Sequence, residues 1–525
     1  MYLVTAEEMQ RMDRDTIHDF GIPGRVLMEN AGRGATRVLA SVFSDVSKRD
    51  VAVAAGRGNN GGDGFVIARY LAQQGVRVTV YLMADPAAVT GDAAANLALL
   101  APLDVPVVAL PDTAALDARR IAMQRHDLWV DALFGTGLNA EVRGRYRDMI
   151  ALINDSGRPV FAVDIPSGIN ADTGQVCGIA VSAEATATFA FAKIGHCQYP
   201  GAAHCGRLEI IDIGIPPHIA AAVAPRQCQT TPAMVADALP QRTPDAHKGT
   251  TGHLLVIAGG PGKTGAAGMC VNAALRSGAG LVTAGVPAGI LATMEALSVE
   301  GMAAPLPQTE DGLVDGRATT VVDRLMAGKR AIAVGPGLGT SEGPKAVVRH
   351  IVARSAVPVV VDADGLSVFI DGADLFAQRQ APLILTPHPG EMARLCGLTS
   401  AEVQADRMTV ARRFAVDHDV IVVLKGARTL IAAPDGSVTV NPSGNPGMAT
   451  GGMGDILTGM IAGLIVQGMH PINAAIAGVY LHGAAADHLS NTMGPVGYLA
   501  TDILNAIAGR MSEATAHSEN HRSCR

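Results

Sequence analysis

Gly451-Gly452-Met453-Gly454 runs straight into Asp455, and Asp455 into an apolar helical pattern of Ile456, Leu457, Met460, Ile461 and Leu464. Glycines let successive backbone N–H groups converge on one point, and a helix N-terminus adds partial positive charge. This order of residues builds an anion hole. A carboxylate at its mouth is placed to take a proton from a substrate hydroxyl or to help hold a metal–phosphate group. The same residues would also serve as a plain helix start with Asp455 in its first turn. Their chemistry therefore depends on partners elsewhere in the chain.

Several candidate partners follow predicted strands. Lys425-Gly426-Ala427-Arg428-Thr429 offers an ammonium, a hydroxyl and a tight turn to a nucleotide phosphate. Gly335-Pro336-Gly337-Leu338-Gly339 is a second such loop, and His388 stands between Pro387 and Pro389 in a third. Gly259 to Thr264 looks like a Walker A loop, but Ile257 stands where that motif needs glycine.

The N-terminal half carries its own set. Gly56-Arg57-Gly58-Asn59-Asn60-Gly61 matches G-x-G-x-x-G between a predicted strand and helix. Asn59, Asn60 and Asp63 add amide oxygens and a carboxylate, suited to a hard cation, a ribose or an amide. Two further loops follow strands, Val130 to Gly137 and Val163 to Gly168. In a doubly wound sheet, loops beyond the C-terminal strand ends gather at one crevice. Asn59, Asn60, Asp63, Asp131, Asp164 and Ser167 are therefore expected to converge. A lone strand-end aspartate more simply caps a helix; three such loops together point to a site.

The elements that must position these residues are legible in outline. Thr5 and Glu8 form a capping box ahead of Met9, Met12 and Ile17, and a second helix is predicted over 26–43. Strands are predicted over 51–55, 76–82, 128–133, 159–163, 185–191 and 208–213, with helices between several of them. Proline punctuation over 214–247 marks a domain junction, after which the alternation restarts at 253–258. The expectation is a first domain over 1–215, a linker over 216–239, a second domain over 240–510 and a disordered polar tail over 511–525. The β–α alternation implies mainly parallel sheets covered on both faces.

Composition excludes several classes. The chain has 525 residues, is 48% hydrophobic and 17% charged, and carries a net charge of −7, which gives no global field for nucleic acid or anionic membrane. Gln467, His470, Pro471 and Asn473 interrupt the longest apolar run, so no membrane span is expected. With no span and no signal-like apolar segment expected, the reading is cytoplasmic, and seven cysteines without C-x-x-C spacing argue against a disulfide framework or a zinc ribbon. His196-Cys197 and His204-Cys205 match no common zinc spacing and are read as ordinary loop residues. Small-residue-rich α/β domains of this kind favour a homo-oligomer.

GNNGGDG, Met28 to Gly32, DALFGTGL and VDIPSG together resemble the YjeF N-terminal family of NAD(P)HX epimerases. The resemblance implies a Rossmann-like three-layer fold. It also implies a hydrate site formed by Asn59, Asn60, Gly61, Gly62 and Asp63, by Gly135, Thr136, Gly137, Leu138, Asn139, Ala140 and Glu141, and by Asp164. A potassium ion on Asn60, Asp131 and Ser167 is implied as well, and oxygen-only ligands suit it. The motifs do not assign the proton carrier of epimerisation. Placement at strand ends makes Asp164 the first candidate and Lys193 the second.

HKGTTGHLLVIAGG, GPGLG, LTPHPGE, LKGART and NPSGNPGMATGGMGD are similar to the YjeF C-terminal family, nucleotide-dependent NAD(P)H-hydrate dehydratases of ribokinase-like fold. That resemblance implies hydrate contacts at Ala266, Ala267, Gly337, His388 and Asp455. It implies ADP (or ATP) contacts at Lys425, Gly426, Ala427, Arg428, Thr429 and Gly454, with Mg2+. Fused in one chain, the two resemble the bifunctional NAD(P)H-hydrate repair family, whose substrates are NADHX and NADPHX. Asp455 would then be the base that prepares the substrate hydroxyl for phosphoryl transfer. A kinase of a vitamin-precursor alcohol and a non-catalytic nucleotide sensor are the competing readings.

Overall fold

The computed structural model describes residues 1–370, 372 and 374–522. Tyr2–Pro225 forms one compact unit, and the chain from Arg226 onward, with Met1, forms another. Both are α/β, as the alternation predicts.

The sheet of the first unit starts from the strand Asp50–Ala55. Arg77–Leu82 and Val107–Ala109 lie to one side of it. Leu128–Ala132, Val160–Val163, Ala185–Phe189 and Arg207–Ile211 lie to the other, and every neighbouring pair is parallel. The order thus reverses between Asp50–Ala55 and Leu128–Ala132, where sheets of this winding open a crevice. Side-chain alternation makes the unit three-layered. Val51, Val53 and Ala55 enter one core with Phe65 and Ile67 of the helix Asn59–Gln73. Ala52 and Ala54 enter another with Trp129 and with Met149 and Ile153 of the helix Gly144–Asp155. Each fully buried aliphatic side chain contributes about 1.5–3 kcal/mol to holding these layers. At the N-terminus, Tyr2–Val4 pairs in parallel with Ala192–Lys193, Val4 opposite Lys193.

The second unit repeats the plan on a longer sheet. His253–Ile257 is flanked by Leu281–Pro287 and Met302–Leu306 on one side. On the other side follow Ala331–Val334, Val359–Val361, Leu383–Leu385 and Ile421–Leu424, all parallel. Leu430–Ala432 and Val438–Val440 then continue antiparallel, and Gln227–Gln229 joins Val438–Val440 in parallel. The helix Met453–Val466 is buried along nearly its whole length. Gly459 permits this, since a Cβ there would fall 2.1 Å from the Cys270 carbonyl oxygen of the helix Thr264–Arg276. The two helices carrying Asp455 and Ala266 are thereby packed backbone to backbone.

Two expectations need correction. The segment 216–239 spans the division between Pro225 and Arg226 but is structured, containing the helices Pro217–Val223 and Pro232–Ala238 and the strand Gln227–Gln229. Pro217 and Pro232 open these helices, where a fixed φ and a missing N–H cost nothing. The chain from 511 is also helical, within Ala500–Arg522; the last three residues lie outside the described ones. Buried Ile503, Ile507 and Ala514 anchor one face of that helix, which polar composition alone concealed. Among the described residues, no helix is long and apolar enough to cross a membrane.

Candidate active sites

The crevice of the first unit is a cavity of about 1080 Å³. Its wall includes Asn59, Asn60 and Asp63 from the helix after the glycine loop, the run 135–140, and Asp164 with Lys193. Gly61 and Gly62 stand behind this wall. A Cβ on Gly61 would lie 2.0 Å from the Gly56 carbonyl oxygen, so glycine is what lets the helix start against its own loop. Glu141 is exposed on the surface, paired with Arg143 at 2.6 Å, and is not part of the lining.

Asp164 occupies left-handed backbone, φ 65°, a strained conformation for a side-chain-bearing residue that is typical of functional positions. Its Oδ1 accepts from Lys193 Nζ at 2.5 Å and from Thr188 Oγ1 at 3.1 Å. The same ammonium donates to Thr188 Oγ1 at 2.8 Å and to the Phe189 carbonyl at 3.1 Å, which uses all three of its protons. Burial favours a protonated Asp164, but the charge and hydrogen bond of Lys193 hold the carboxyl below its ordinary range. His196, set aside at the sequence level, belongs to this cluster. The Lys193 N–H donates to its Nδ1, so its Nε2 carries the proton and donates to the Asp164 carbonyl at 2.9 Å. Burial pushes His196 down to about 4, which keeps the ring neutral.

Of the three expected cation ligands, Asn60 lines the cavity, whereas Asp131 and Ser167 bond to each other outside its lining. Asp131 is fully buried and accepts from Ser167 Oγ at 2.6 Å and Ser167 N at 2.7 Å. Burial pushes Asp131 up to about 6, against the pull of those bonds. Both amide atoms of Asn60 are buried with no hydrogen-bond partner. An orphaned amide oxygen next to a site is costly unless a ligand satisfies it. A Cβ on Gly135 would come within 3.4 Å of both Asn60 and Asp164, which ties the cradle to the cavity.

In the second unit Asp455 lies in the first turn of Met453–Val466. Among the described residues no side chain hydrogen-bonds its carboxyl. Burial and the negative charge of Asp362 push it up to about 6, with Lys425 opposing. Asp362, which the motifs did not single out, is the most enclosed carboxylate here, at 1% exposure. It accepts from Lys425 Nζ at 2.7 Å and from Thr458 Oγ1 at 2.9 Å. Burial alone would lower Lys425, but Asp362 and Glu391 hold it above its ordinary value. Asp364 accepts from Lys263 Nζ at 3.0 Å and from the Gly339 N–H at 2.9 Å. Both aspartates belong to a V-V-V-D-A-D run after a strand, a signal the sequence offered.

Several of the other predicted contacts lie near this cluster, whereas Arg428 donates to the Pro442 carbonyl at 2.7 Å. Gly337 abuts Lys263 and Ala266, and Ala267 packs beneath Gly259. His388 caps the helix Pro389–Cys396, its Nδ1 accepting from Gly390 N at 3.0 Å. Glu391 accepts from His388 N at 2.7 Å and lies 3.8 Å from Lys425 Nζ. Thr429 Oγ1 donates to the Gly426 carbonyl, closing the Lys425–Thr429 turn, and Gly454 lies beside Lys425 Nζ. Among the described residues no three His, Cys, Asp or Glu side chains form a ready metal cage.

The sequence matches two family models. One is described as YjeF-related protein N-terminus, over residues 24–195; the other as NAD(P)H-hydrate dehydratase, over residues 254–508. The bifunctional NAD(P)H-hydrate repair enzyme Nnr of Moorella thermoacetica is 42% identical over 506 residues, covering 96% of each chain. The enzyme of the same name from Salinibacter ruber is 38% identical over 533 residues, covering 99% of this chain and 98% of that one. Among solved structures, the ADP/ATP-dependent NAD(P)H-hydrate dehydratase from Bacillus subtilis, co-crystallized with ATP/Mg2+, is 32% identical. It covers 54% of this chain and 97% of that chain, with a TM-score of 0.48.

Proposed function

This chain belongs to the bifunctional NAD(P)H-hydrate repair enzymes, and from that premise we propose how its two sites divide the work. The protein interconverts R- and S-NAD(P)HX and dehydrates the S form to NAD(P)H at the expense of a nucleotide. We assign the first reaction to the cavity around Asp164 and the second to the cluster around Asp455.

Hydroxide is a poor leaving group from C6 of the hydrated nicotinamide ring. In the second unit Asp455 takes the proton of the C6 hydroxyl while the oxygen receives a phosphoryl group from ADP or ATP. The ring nitrogen then expels phosphate, C5 gives up a proton, and the C5=C6 double bond returns. Lys425, neutralised on one side by Asp362, directs its charge at the nucleotide phosphates, and the Gly454 turn supplies backbone donors. Mg2+, bound together with the nucleotide, would supply charge neutralisation at its phosphates. In the first unit Asp164 is the base, held ionised by Lys193. K+ on Asn60, Asp131 and Ser167 would fix the floor of that cavity. The free thiols of the described cysteines support the cytoplasm as the working compartment.

The observation that carries the dehydratase assignment is the Asp455 carboxyl, without a hydrogen-bond partner among the described residues, beside the Lys425–Asp362 pair at a helix N-terminus. The test uses the intact protein, both NADHX epimers, K+, Mg2+ and either nucleotide, following NADH absorbance. The expected outcome is complete recovery of both epimers, dependent on nucleotide. Recovery of half the material would remove the epimerase, and no recovery with either nucleotide would remove the dehydratase.

A further inference from the structure

The helix Ala6–Arg14 is held by its Thr5–Glu8 capping box and by Asp172 Oδ1, which accepts from Ala6 N at 2.7 Å. Met9, Asp13 and Ile17, spaced at i, i+4 and i+8, line the cavity that also holds Asp63, Asp164 and Lys193. Beyond Arg14 the chain passes into a wider i→i+5 turn, Asp15–Phe20, a distortion enriched at functional sites. Thr16, one turn after Asp13, is fully buried with its hydroxyl unsatisfied. This helix therefore places one carboxyl in the cavity wall, beside the amide of Gln10 and between the apolar side chains of Met9 and Ile17. Among the described residues no side chain hydrogen-bonds that carboxyl.

We propose that Asp13 is a second proton-transfer residue of epimerisation, donating to the C6 hydroxyl of the hydrate while Asp164 serves as the base. The inference rests on the first unit being the epimerase. The step balances without any co-reactant. Asp13 gives its proton to the C6 hydroxyl, the C6–O bond breaks with its electron pair on oxygen, and water leaves. The N1 lone pair forms N1=C6. Water then adds to the opposite face of C6 and loses a proton to Asp164. The reverse turnover, or exchange with water in the cavity, returns the proton to Asp13.

The surroundings suit that role. Burial and the charge of Asp164 push Asp13 up to about 6, with Lys193 opposing, so a proton is held but can be released. Asp63 is enclosed more deeply and is pushed much further up, by burial first and then by Asp164 and Asp13. That deeper burial makes it a poorer proton source than Asp13. Asp13 thus stands to the Asp164–Lys193–Thr188 cluster as Asp455 stands to Asp362–Lys425–Thr458.

The test measures R-to-S conversion of pure NADHX by the intact protein without nucleotide, so that dehydration is silent. Asp13→Asn is expected to lower kcat about 100-fold with KM unchanged. Asp13→Glu, which keeps the acid, is expected to recover much of the rate. A kcat in Asp13→Asn within threefold of the unsubstituted protein would overturn the proposal. So would equal losses in both variants accompanied by a raised KM, the mark of a purely structural residue. Absence of conversion by the unsubstituted protein would overturn the epimerase reading itself, and the proposal with it.

Discussion

Each unit ends a strand in a buried aspartate clamped by a lysine and a threonine. In the first it is Asp164 with Lys193 and Thr188; in the second, Asp362 with Lys425 and Thr458. The clamps differ in what they leave over. Lys193 is 1% exposed and spends all three protons on Asp164, Thr188 and Phe189. Lys425 is 19% exposed and keeps donor capacity for a ligand. The first clamp is built to keep a carboxylate ionised, and the second to present a cation to phosphate. In both, a separate carboxyl with no hydrogen-bond partner among the described residues stands nearby and is pushed up to about 6, Asp13 in one and Asp455 in the other. Similar electrostatic parts can serve different chemistry when the spare charge changes sign.

The largest expected effect separates the two sites outright. Asp455→Asn should lower the dehydration rate of S-NADHX about 1000-fold and leave epimerisation alone, whereas Asp164→Asn should do the reverse. Separate assays on pure S and pure R hydrate check this, and a loss of both activities in either variant would break the division of labour. Next in size is the contrast between clamps. Removing one partner of a buried pair strands the other charge and costs about 3–5 kcal/mol. Lys193→Met should approach that cost, and Lys425→Met should fall short of it, because water can reach the second site. Urea unfolding midpoints compare them; equal losses would mean that exposure does not distinguish the clamps.

The smallest effect sharpens the comparison by pH. Asp455, facing Asp362, Lys425 and Asp364, must be ionised to act as base. Dehydratase kcat/KM should therefore fall about tenfold per unit below about pH 6 and level off above it. Asp13, facing Lys193, Asp164 and Asp63, must be protonated to act as acid. Epimerase kcat/KM should therefore fall as pH rises past about 6. Parallel profiles for the two activities would remove the assigned roles.

Much of each site was legible because its determinants are local. Gly56 to Asp63 and Gly451 to Asp455 announce themselves, since Gly56 and Gly61 permit close backbone approach and Gly452 the positive φ of 89° that opens the second helix. The strand-end rule grouped Asn59, Asn60, Asp63, Asp131, Asp164 and Ser167; of these Asn59, Asn60, Asp63 and Asp164 line one cavity, and Asp131 and Ser167 bond to each other outside its lining. What escaped depended on distant partners. His196 meets Asp164 across 32 residues, and Asp362 meets Lys425 across 63 and Thr458 across 96. Asp13 lies in an amphipathic helix whose polar residues look like an ordinary solvated face. The prolines of 216–239 surround the division between Pro225 and Arg226, and Pro217 and Pro232 also begin helices, which proline punctuation alone did not show.

The sequence by itself determined two α/β units, the loops that carry chemistry and the kinship that names the substrates. Periodicity, glycine spacing and motif order are properties of contiguous residues, and they survive without a fold. Only the tertiary structure decided which carboxylates are neutralised and which remain free to move a proton. That depends on burial and on which lysine reaches which aspartate, and both are set by strands and helices far apart in the chain.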